Sequence, residues 1–555
     1  MIIPRAPDFV GDESAVQRHG SADPTLGIFH LHAKNGTPFH QIAQAIRQAV
    51  LDGRIAAESR LPSASALAAE LTVSRPCVQR AYRLLCAEGF AVSSRRSGTR
   101  VAKVIPPVKV LAKARSGHTS RYAARLQSLP FITPVGAPAS ARPRIDLLYG
   151  EPFVHPDICH SWRRNLSAAA LRAGTAYPPT EGFLPLRRAL AYYLRRRRGL
   201  NCDASDILVV GGTQQALTLV ARVLLNSGDR VVVEDPGYQL AIQNLLAHGA
   251  AVTSCQIDHE GLVVSELPLR RIRLAYVTPG HQFPSGVVMT LGRRLQLLQW
   301  AAQTGSWIFE DEYDTEFHSG DKPLPALRSL DMADRVIYAG SFSKTLFPSL
   351  RLAYIVCPKM LRDHLVRAKL LNDLGSATLE QAALGAFMHS GLYERHLRKS
   401  VKELASRRRT IVNGLKGLEG RHIEIGPHQA GTHFVIWLLC LGFDRLEAFI
   451  ARAASLGLGL HPVHPYYRVP PSRPGLLIGY AGLSVGQLRN AVELFGRCLA
   501  EFTRPSEPLP SRREAIGPAR LDAMEIKSAM QSVVDNSVIS DPQLGRKPRN
   551  GNYLG

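Results

Sequence analysis

This sequence has few cysteines, no long apolar segment and a shortage of acidic residues, and each shortage excludes a class of protein. Its 555 residues include eight cysteines, none of them in a C-x-x-C pair or with zinc-finger spacing. Structural zinc sites and redox-active thiol pairs use such spacings, and a chain of this length is not a small disulfide-rich domain, so we interpret the cysteines as reduced thiols in a reducing compartment. We accordingly expect no metal site.

Apolar residues are never continuous over the roughly eighteen positions that a membrane-spanning helix requires. The amino-terminal stretch MIIPRAPDFVGDE also lacks the apolar core of a secretory signal peptide. These two features predict a soluble, cytoplasmic protein with no membrane partner.

Acidic side chains are outnumbered by basic ones. Lys and Arg total 68 against 45 Asp and Glu, which gives a formal net charge of +23. A basic excess of this size favours a polyanionic partner, and nucleic acid is the partner we expect. With 45% hydrophobic residues, the chain is long enough to form two domains around a substantial core.

The segment SFSKTLFPSLR, residues 341–351, places one lysine among small hydroxyl residues, with an arginine seven positions later. Pyridoxal 5′-phosphate (PLP) chemistry needs a lysine amine that condenses with an aldehyde, beside groups that hold a phosphate dianion. Lys344 is therefore the candidate Schiff-base residue. The alternative, judged from this segment alone, is a solvated lysine at a turn.

Two further segments favour the same chemistry. The apolar run GSWIFEDEYDTEF ends in carboxylates, and ligand-contacting side chains collect at strand ends of α/β sheets. We assign Asp311 to the pyridine nitrogen of PLP, where a carboxylate keeps the ring protonated, and Tyr313 to the phenolic oxygen of the ring. The strand-like ILVVGG leads into a helical pattern, so free N–H groups and the helix dipole face outward. The expected phosphate-binding residues are Gly212, Thr213, Gln214, Ser341, Ser343 and Arg351.

Residues 145–502 resemble a fold-type I aminotransferase, in the version found in MocR/GabR-type transcriptional regulators. The motifs that carry the resemblance are YPPTEGFLPLRRAL, VVGGTQQAL, VVEDPGY, VTPGHQFPSGVVM, IFEDEYDTEF and YAGSFSKTLFPSLRLAY. The resemblance implies an α/β PLP-dependent transferase fold type I, with a smaller α+β carboxyl-terminal subdomain from about residue 360. It also implies that Tyr238 stacks on the cofactor ring, and that the cofactor sites lie at the subunit boundary of a head-to-tail homodimer.

A basic segment near the amino terminus has the pattern of a DNA-binding module. Residues 28–105 carry eleven Lys/Arg and four Asp/Glu. An apolar helical pattern after His40 is followed by LPSASALAAEL, with Ser63 as N-cap, and by RPCVQRAYRLLCAEG, with Ser74 as N-cap. The two short helices predict a helix-turn-helix, and FAVSSRRSGTRVA predicts a basic hairpin, or wing. A small basic bundle that contacts protein is the alternative.

This segment resembles the GntR-type winged helix-turn-helix through GRIAAESRLPS, LAAELTVSRPCVQRAYRLLCAEG and SGTRV. The chain departs from that family at Ser65, where the family usually has a DNA-contacting arginine, so we expect other basic residues to carry more of the contact. The residues expected to contact a double-stranded DNA operator are Ser63, Ser74, Arg75, Gln79, Arg80, Arg95, Arg96 and Thr99.

The predicted organisation has five parts. They are a disordered start (1–27), a winged helix-turn-helix domain (28–102), a basic flexible linker (103–144), an aminotransferase-like domain (145–503) and a disordered tail (504–555). The linker prediction rests on eight Lys/Arg, no acid and several Pro and Gly, a composition that cannot bury enough surface to fold alone.

Two departures from the enzymes of this fold bear on catalysis. Those enzymes hold the α-carboxylate of the substrate with an arginine, and the matching position in LLIGYAG is Leu477, which cannot form a bidentate, charge-assisted pair. The enzyme motif Asn-Pro-Thr-Gly is replaced by FPSG, residues 283–286. Arg473 is an alternative partner for the carboxylate, whereas we interpret His281 and His433 as hydrogen-bonded core residues.

The sequence therefore predicts a DNA-binding transcriptional regulator that lacks full transaminase activity. Its aminotransferase-like domain is expected to bind PLP as an internal aldimine and to sense PLP or an amine or amino-acid effector. One alternative is an active PLP-dependent aminotransferase with an appended DNA-binding domain. The other is a DNA-binding repressor whose body no longer holds a cofactor.

Overall fold

A computed structural model provides the structure of the chain. It describes residues 36–94, 96–103, 119–130, 143–172, 174, 176–318 and 325–503. The chain divides into two compact units, Met1–Thr119 and Ser120–Gly555. The predicted disordered ends, residues 1–27 and 504–555, lie outside the described residues, as does Arg95.

The described residues of the first unit form three helices and a two-stranded hairpin. Its elements are α1 (Pro38–Leu51), α2 (Ala64–Glu70), α3 (Arg75–Ala87), β1 (Ala91–Ser94) and β2 (Gly98–Val101). The Ser63 hydroxyl accepts a hydrogen bond from the Ala66 N–H and caps α2, as predicted. Ser74 occupies the N-cap position of α3, but the predicted capping hydrogen bond from its side chain does not form.

An apolar core holds this unit together. Ile42 and Ile46 from α1, Leu67 from α2, and Val78 and Leu85 from α3 are all buried in it. Their helical spacing places them on the inner face of each helix, so α2 and α3 form the predicted helix-turn-helix. The strands β1 and β2 pair antiparallel and form the predicted wing.

The second unit is built on an eight-stranded, largely parallel sheet. Its strands are β4 (Ile207–Val210), β5 (Arg230–Asp235), β6 (Ala251–Asp258), β7 (Gly261–Leu262), β8 (Ile272–Val277), β9 (Trp307–Glu312), β10 (Val336–Ser341) and β11 (Ala353–Val356). Their order across the sheet is β4-β11-β10-β9-β8-β5-β6-β7. The strands β10, β9, β8, β5 and β6 pair parallel, whereas β11 is antiparallel to both its neighbours. The carboxyl ends of the parallel strands therefore share one edge, where ligands of such sheets bind.

Helices cover both faces of this sheet. The helices of the unit up to residue 415 are α4 (Arg121–Ser128), α5 (Pro156–Arg172), α6 (Leu184–Arg198), α7 (Thr213–Leu224), α8 (Gln239–Ala247), α9 (Leu291–Thr304), α10 (Leu327–Leu330), α11 (Lys359–Asp373), α12 (Thr378–His389) and α13 (Leu392–Leu415). Leu217 of α7 and Leu245 of α8 pack against one face, and Leu297 and Trp300 of α9 pack against the other. Burial on both faces explains why the central strands are continuously apolar in sequence. Of the described helices, none is long and apolar enough to cross a bilayer.

A smaller sheet follows near the carboxyl end. Its strands are β12 (Ile423–Ile425), β13 (His433–Leu438), β15 (His461–Pro462) and β16 (Gly475–Gly479), in the antiparallel order β12-β13-β16-β15. The accompanying elements are α14 (Phe443–Ser455), α15 (Val485–Thr503) and β14 (Leu458–Gly459), the last pairing with β3 (Ile145–Asp146). The predicted smaller α+β subdomain is thus present, but it begins later than residue 360. Leu361 and Leu365 of α11 belong to the core of the large sheet.

Part of the segment predicted as a flexible linker is folded. Arg125 of α4 donates from Nε to the Ala247 carbonyl at the carboxyl end of α8, at 2.9 Å. The Tyr122 ring meets the His248 ring edge-on, with centroids 5.4 Å apart. The composition misled the prediction because a short helix can be stabilised by contacts with a neighbouring helix end, which composition does not reveal. Residues 104–118 and 131–142 of the predicted linker lie outside the described residues.

Candidate functional site

Lys344 lies just after β10, at the carboxyl edge of the large sheet. Its Nζ donates to the Gly150 carbonyl at 2.9 Å and lies 4.5 Å from the centroid of the Tyr149 ring. Burial lowers the pKa of Lys344 to about 8, against an opposing effect of the Asp314 carboxylate. More of this amine is therefore neutral near neutral pH than in a solvated lysine, and the neutral amine is the form that attacks an aldehyde.

Asp311 lies on β9, next to Ala339 on β10 in the sheet register. Its Oδ2 accepts a hydrogen bond from the Tyr276 hydroxyl at 2.6 Å. Its Oδ1 is buried and has no hydrogen-bond partner among the described residues. Burial raises the pKa of Asp311 to about 7, against the hydrogen bond from Tyr276. A buried acceptor without a donor is unfavourable, and the protonated ring nitrogen of PLP is a donor of the right kind.

The amino-terminal end of α7 and the Arg351 side chain form a cradle for an anion. Gly212 occupies the N-cap position with φ of 119°, and a Cβ there would lie 2.5 Å from Arg351 Nη2. A residue with a side chain would be strained at this φ and would displace the Arg351 guanidinium, so glycine is favoured here. Thr213 and Gln214 begin the helix, where backbone N–H groups lack helical partners and favour phosphate.

Tyr238 and two serines complete the predicted set. Burial raises the pKa of Tyr238 to about 12, with the Asp311 carboxylate adding to the shift and Arg351 opposing it. The Tyr238 side chain is hydrogen-bonded to Gln214 at the start of α7, and its ring lies 5.8 Å from the Phe283 ring. Ser341 Oγ accepts a hydrogen bond from the Ser343 N–H at 3.1 Å. The structure thus brings the residues predicted to hold the ring together with those predicted to hold the phosphate.

Tyr313 leads to a part of the site that the sequence did not predict. Its hydroxyl donates to the His281 carbonyl at 2.7 Å, and His281 Nδ1 lies 3.0 Å from Asp314 Oδ1. Although burial opposes the shift, the His281 ring and a Thr432 hydrogen bond lower the pKa of Asp314. His281 is thus a hydrogen-bonded buried residue, as predicted, whereas His433 is buried but neither of its ring nitrogens has a hydrogen-bond partner among the described residues, contrary to the prediction. His281, Asp314 and His433 offer ligand atoms that lie within 4.8 Å of one another, a spacing that a metal ion could also use.

An aromatic and apolar cluster, defined by Tyr149, Phe283, Val463, Tyr466 and Leu477, lies beside Lys344. The Phe283 ring lies 4.9 Å from the Tyr149 ring and 4.9 Å from the Tyr466 ring. Leu477 is 1% exposed within this cluster. Tyr149 was missed because it stands in the short stretch LLYGEP, far from every recognised motif.

Arg473 is engaged with other groups. Its Nη2 lies 2.6 Å from Glu424 Oε2, and its guanidinium lies 5.6 Å from the centroid of the Trp437 ring. The side chain considered as a substitute carboxylate partner therefore has an ion-pair partner of its own at the surface. The position that matches the enzymes' arginine remains Leu477.

The helix-turn-helix presents most of the predicted DNA-contacting side chains. Ser74, Arg75 and Gln79 are exposed at the first turns of α3, and Ser63 lies at the start of α2. The Arg80 guanidinium lies over the aromatic ring of Phe39 at 4.3 Å, so packing holds this side chain in place. An arginine held in this way is pre-organised for a phosphate.

The wing holds two more of the predicted residues. Arg96 is exposed at the turn, and Thr99 Oγ1 donates to Ser93 Oγ at 3.4 Å. Arg60 was not predicted to contribute. A Cβ on Gly98 would lie 3.4 Å from Arg60 Nε, so this arginine extends to the wing from the segment before α2.

This architecture defines a class of protein, a winged helix-turn-helix domain joined to an aminotransferase-type body. Residues 38–101 match the family described as bacterial regulatory proteins, gntR family. Residues 146–493 match the family described as aminotransferase class I and II.

The relatives identify the family. The chain is 33% identical over 469 residues to the probable rhizopine catabolism regulatory protein MocR of Rhizobium meliloti, covering 82% of this chain and 92% of that protein. It is 30% identical to the HTH-type pyridoxine biosynthesis transcriptional regulator PdxR of Corynebacterium glutamicum, covering 81% of this chain and 93% of that protein. The chain belongs to the MocR-type transcriptional regulators of the GntR family, and its first unit is their DNA-binding domain.

Solved structures confirm the fold of the body. The kynurenine aminotransferase of Pyrococcus horikoshii matches with a TM-score of 0.60 and 25% identity, covering 70% of this chain and 95% of that one. LysN, the α-aminoadipate aminotransferase of Thermus thermophilus, matches with a TM-score of 0.58 and 27% identity, covering 64% of this chain and 92% of that one. The body has the PLP-dependent transferase fold type I that the sequence predicted.

Proposed function

We propose that this chain is a DNA-binding transcriptional regulator that responds to PLP, or to an amine or amino acid that meets PLP in its body. Lys344 holds the cofactor through its amine. The observation that carries the proposal is the gathering of three features at one sheet edge. They are a lysine with a lowered pKa, a buried carboxylate oxygen without a partner among the described residues, and a helix N-terminus closed by an arginine.

The chain's residues fit each part of the cofactor. Asp311 would accept the ring N–H through Oδ1, and Tyr238 would pack on the ring face. Tyr313 would donate its hydroxyl hydrogen to the ring oxygen in place of the His281 carbonyl. The N-terminus of α7 and Arg351 would take the phosphate, whose charge suits the helix dipole and the guanidinium. When bound, PLP supplies an aldehyde that captures amines and a ring that withdraws electrons.

The leucine at position 477 favours a regulator that binds its ligand over an enzyme that transaminates it. An active aminotransferase with an appended DNA-binding domain needs a cation for the α-carboxylate, and a buried leucine in an apolar cluster offers none. We therefore propose that the body binds its ligand without completing transamination. Rapid conversion of bound PLP to pyridoxamine phosphate by a panel of amino acids would contradict this.

We also propose that the chain acts as a head-to-tail homodimer. Its two winged helix-turn-helix domains would then bind the two half-sites of an operator. In support, Tyr177 and Tyr192 are 86% and 60% exposed beside a cavity of about 1110 Å³ between α5, α6 and α12. Apolar surface of this kind is commonly covered by another chain. Tyr177→Glu is expected to shift the chain toward monomer in sedimentation velocity, and an unchanged dimer would place the interface elsewhere.

Covalent trapping tests the cofactor assignment. After incubation of the full chain with PLP, borohydride reduction and peptide mass mapping should find the added mass on Lys344 and not on the exposed Lys359. Lys344→Ala should lose both the trapped mass and the visible absorbance of the bound cofactor, whereas the control Lys359→Ala should keep them. An unmodified Lys344 would contradict the proposal.

Measurements of operator binding test the proposal that the body regulates DNA binding. PLP or the effector should change operator affinity in a gel shift, and operator DNA should change ligand affinity by the same factor, because coupling between two sites is reciprocal. If operator affinity is the same in the absence and in the presence of each ligand, the body does not control DNA binding by the winged helix-turn-helix domain.

A further inference from the structure

We infer that the effector is a primary amine with an apolar or aromatic carbon skeleton and no carboxylate on the amine-bearing carbon. This inference rests on the proposed function, because it concerns the ligand that meets the cofactor at Lys344. It selects one class from the three that the sequence leaves open, namely amines, amino acids and PLP alone.

The first support is the apolar wall beside Lys344. Lys344 Nζ lies 4.5 Å from the centroid of the Tyr149 ring, and Phe283 packs at 4.9 Å from that ring. Leu477 on β16 pairs with Val435 on β13, so their side chains emerge on the same face of the small sheet and join this cluster. A carbon skeleton that lies against such a wall gains free energy by leaving water.

The second support is that three arginines in this part of the body have other partners among the described residues. Arg473 is paired with Glu424 at 2.6 Å. Arg351 lies across the anion cradle, and Arg468 donates from Nη1 to the Val252 carbonyl at 3.2 Å. The described residues of the apolar cluster carry no charge, so a ligand carboxylate placed against them would lose its water without gaining a charged donor from the cluster, which is unfavourable.

The third support is a carboxylate that lies beyond Tyr149 from Lys344. The His433 ring lies 4.6 Å from the Tyr149 ring, and the ligand atoms of His433 and Asp314 lie within 4.8 Å of one another. Asp314 Oδ2 accepts a hydrogen bond from the Thr432 hydroxyl at 3.1 Å. A second carboxylate brought by the ligand to this place is unfavourable, whereas an amine without a carboxylate avoids the repulsion.

Such a ligand would replace Lys344 in its double bond to the aldehyde carbon of the cofactor. The two protons that the incoming amine loses would pass to the released Lys344 amine, so no oxidant or reductant is needed. The released Lys344 amine then has an acceptor within reach, because its Nζ donates to the Gly150 carbonyl when it is not bound to the cofactor.

Matched pairs of ligands test the inference on the PLP-loaded full chain. Phenethylamine is compared with L-phenylalanine, and isopentylamine with L-leucine, so that each pair differs only in the carboxylate. The readouts are the rise in melting temperature and the protection of Lys344 from borohydride trapping. The amines are expected to bind about ten to a hundred times more tightly than the amino acids, the range of one charge-assisted interaction.

Variants at one position supply the control. Leu477→Arg is expected to reverse the order within each pair, whereas Leu477→Met keeps the wall apolar and should keep the order. Where Leu477→Arg does not fold, as judged by circular dichroism, the wild-type and Leu477→Met comparisons decide. Tighter or equal binding of the amino acids by the wild type would overturn the inference, and so would a lack of response to both amines.

Failure of the proposed function gives a different result. If Lys344 takes up PLP but the ligand order is contrary, only the effector class is wrong. If Lys344 does not bind PLP, both the proposed function and the proposed effector class are wrong.

Discussion

Replacing Asp311 with asparagine is expected to weaken PLP binding without disrupting the fold. Asparagine has nearly the same shape, and its amide oxygen can still accept the Tyr276 hydroxyl, which lies 2.6 Å from Asp311 Oδ2. The substitution removes the negative charge at the buried Oδ1, the atom that has no partner among the described residues. Asp311→Asn therefore isolates the interaction with the ring nitrogen.

The size of the effect follows from the burial of this oxygen. A hydrogen bond to a charged group contributes about 1.5–3 kcal/mol. At about 1.4 kcal/mol for each tenfold change, its loss raises the dissociation constant of PLP by roughly ten- to 150-fold. Screening by salt reduces this little because the group is buried.

The assay is a titration of the full chain with PLP, followed by its visible absorbance and by the melting temperature. Glu310→Gln is the matched control on the preceding residue. Its side chain accepts hydrogen bonds from the Leu327 and Arg328 N–H groups, at 2.7 and 2.9 Å, so the control should lower stability and leave PLP affinity unchanged. An Asp311→Asn dissociation constant equal to the wild-type value, or an equal loss in the control, would refute the reasoning.

Three further predictions concern pH, DNA and the linker. Burial raises the pKa values of three acids to about 7, namely Glu234, Glu310 and Asp311. Because their unfolded pKa values are near 4, the folded chain holds more protons on these three acids between these limits, and their contribution to the free energy of unfolding should fall as pH rises from about 5 to about 7. Burial lowers the pKa values of His248, His318, His396 and His433, which contribute in the opposite direction, so the test is the difference between wild type and Glu310→Gln. The melting temperature of the wild type relative to this variant should fall as pH rises across the window, and a relative rise would contradict the assignment. Arg75→Ala should lower operator affinity and reduce the slope of log K against log salt by about one, whereas Arg270→Ala on the body should leave both unchanged in the same titration. Arg125→Ala removes the bond to the Ala247 carbonyl, and hydrogen exchange in α4 should become faster while the melting temperature of the body stays the same.

Much of the fold could be predicted because its signals are local. The apolar strands of the large sheet are buried on both faces, so each stands out as a short continuous run between polar segments. Ser63 is a clear helix start because its hydroxyl satisfies a free N–H of the first turn. Gly212 is equally informative, since its φ of 119° is one that residues with a side chain rarely adopt. In each case the local structure depends on the residue and its near neighbours in sequence, so it could be predicted from the sequence.

The remainder depends on contacts between residues that are distant in sequence. Tyr149 meets Lys344 only because β3 and the large sheet bring them together, and nothing in the surrounding sequence marks the tyrosine. Asp314 was overlooked beside Asp311, yet the two have opposite environments. The His281 ring and the Thr432 hydroxyl lie within hydrogen-bond distance of the Asp314 carboxylate and lower its pKa despite burial, whereas burial raises that of Asp311. A run of carboxylates thus shows where a site lies, and the partners supplied by other strands decide which carboxylate remains available for a ligand.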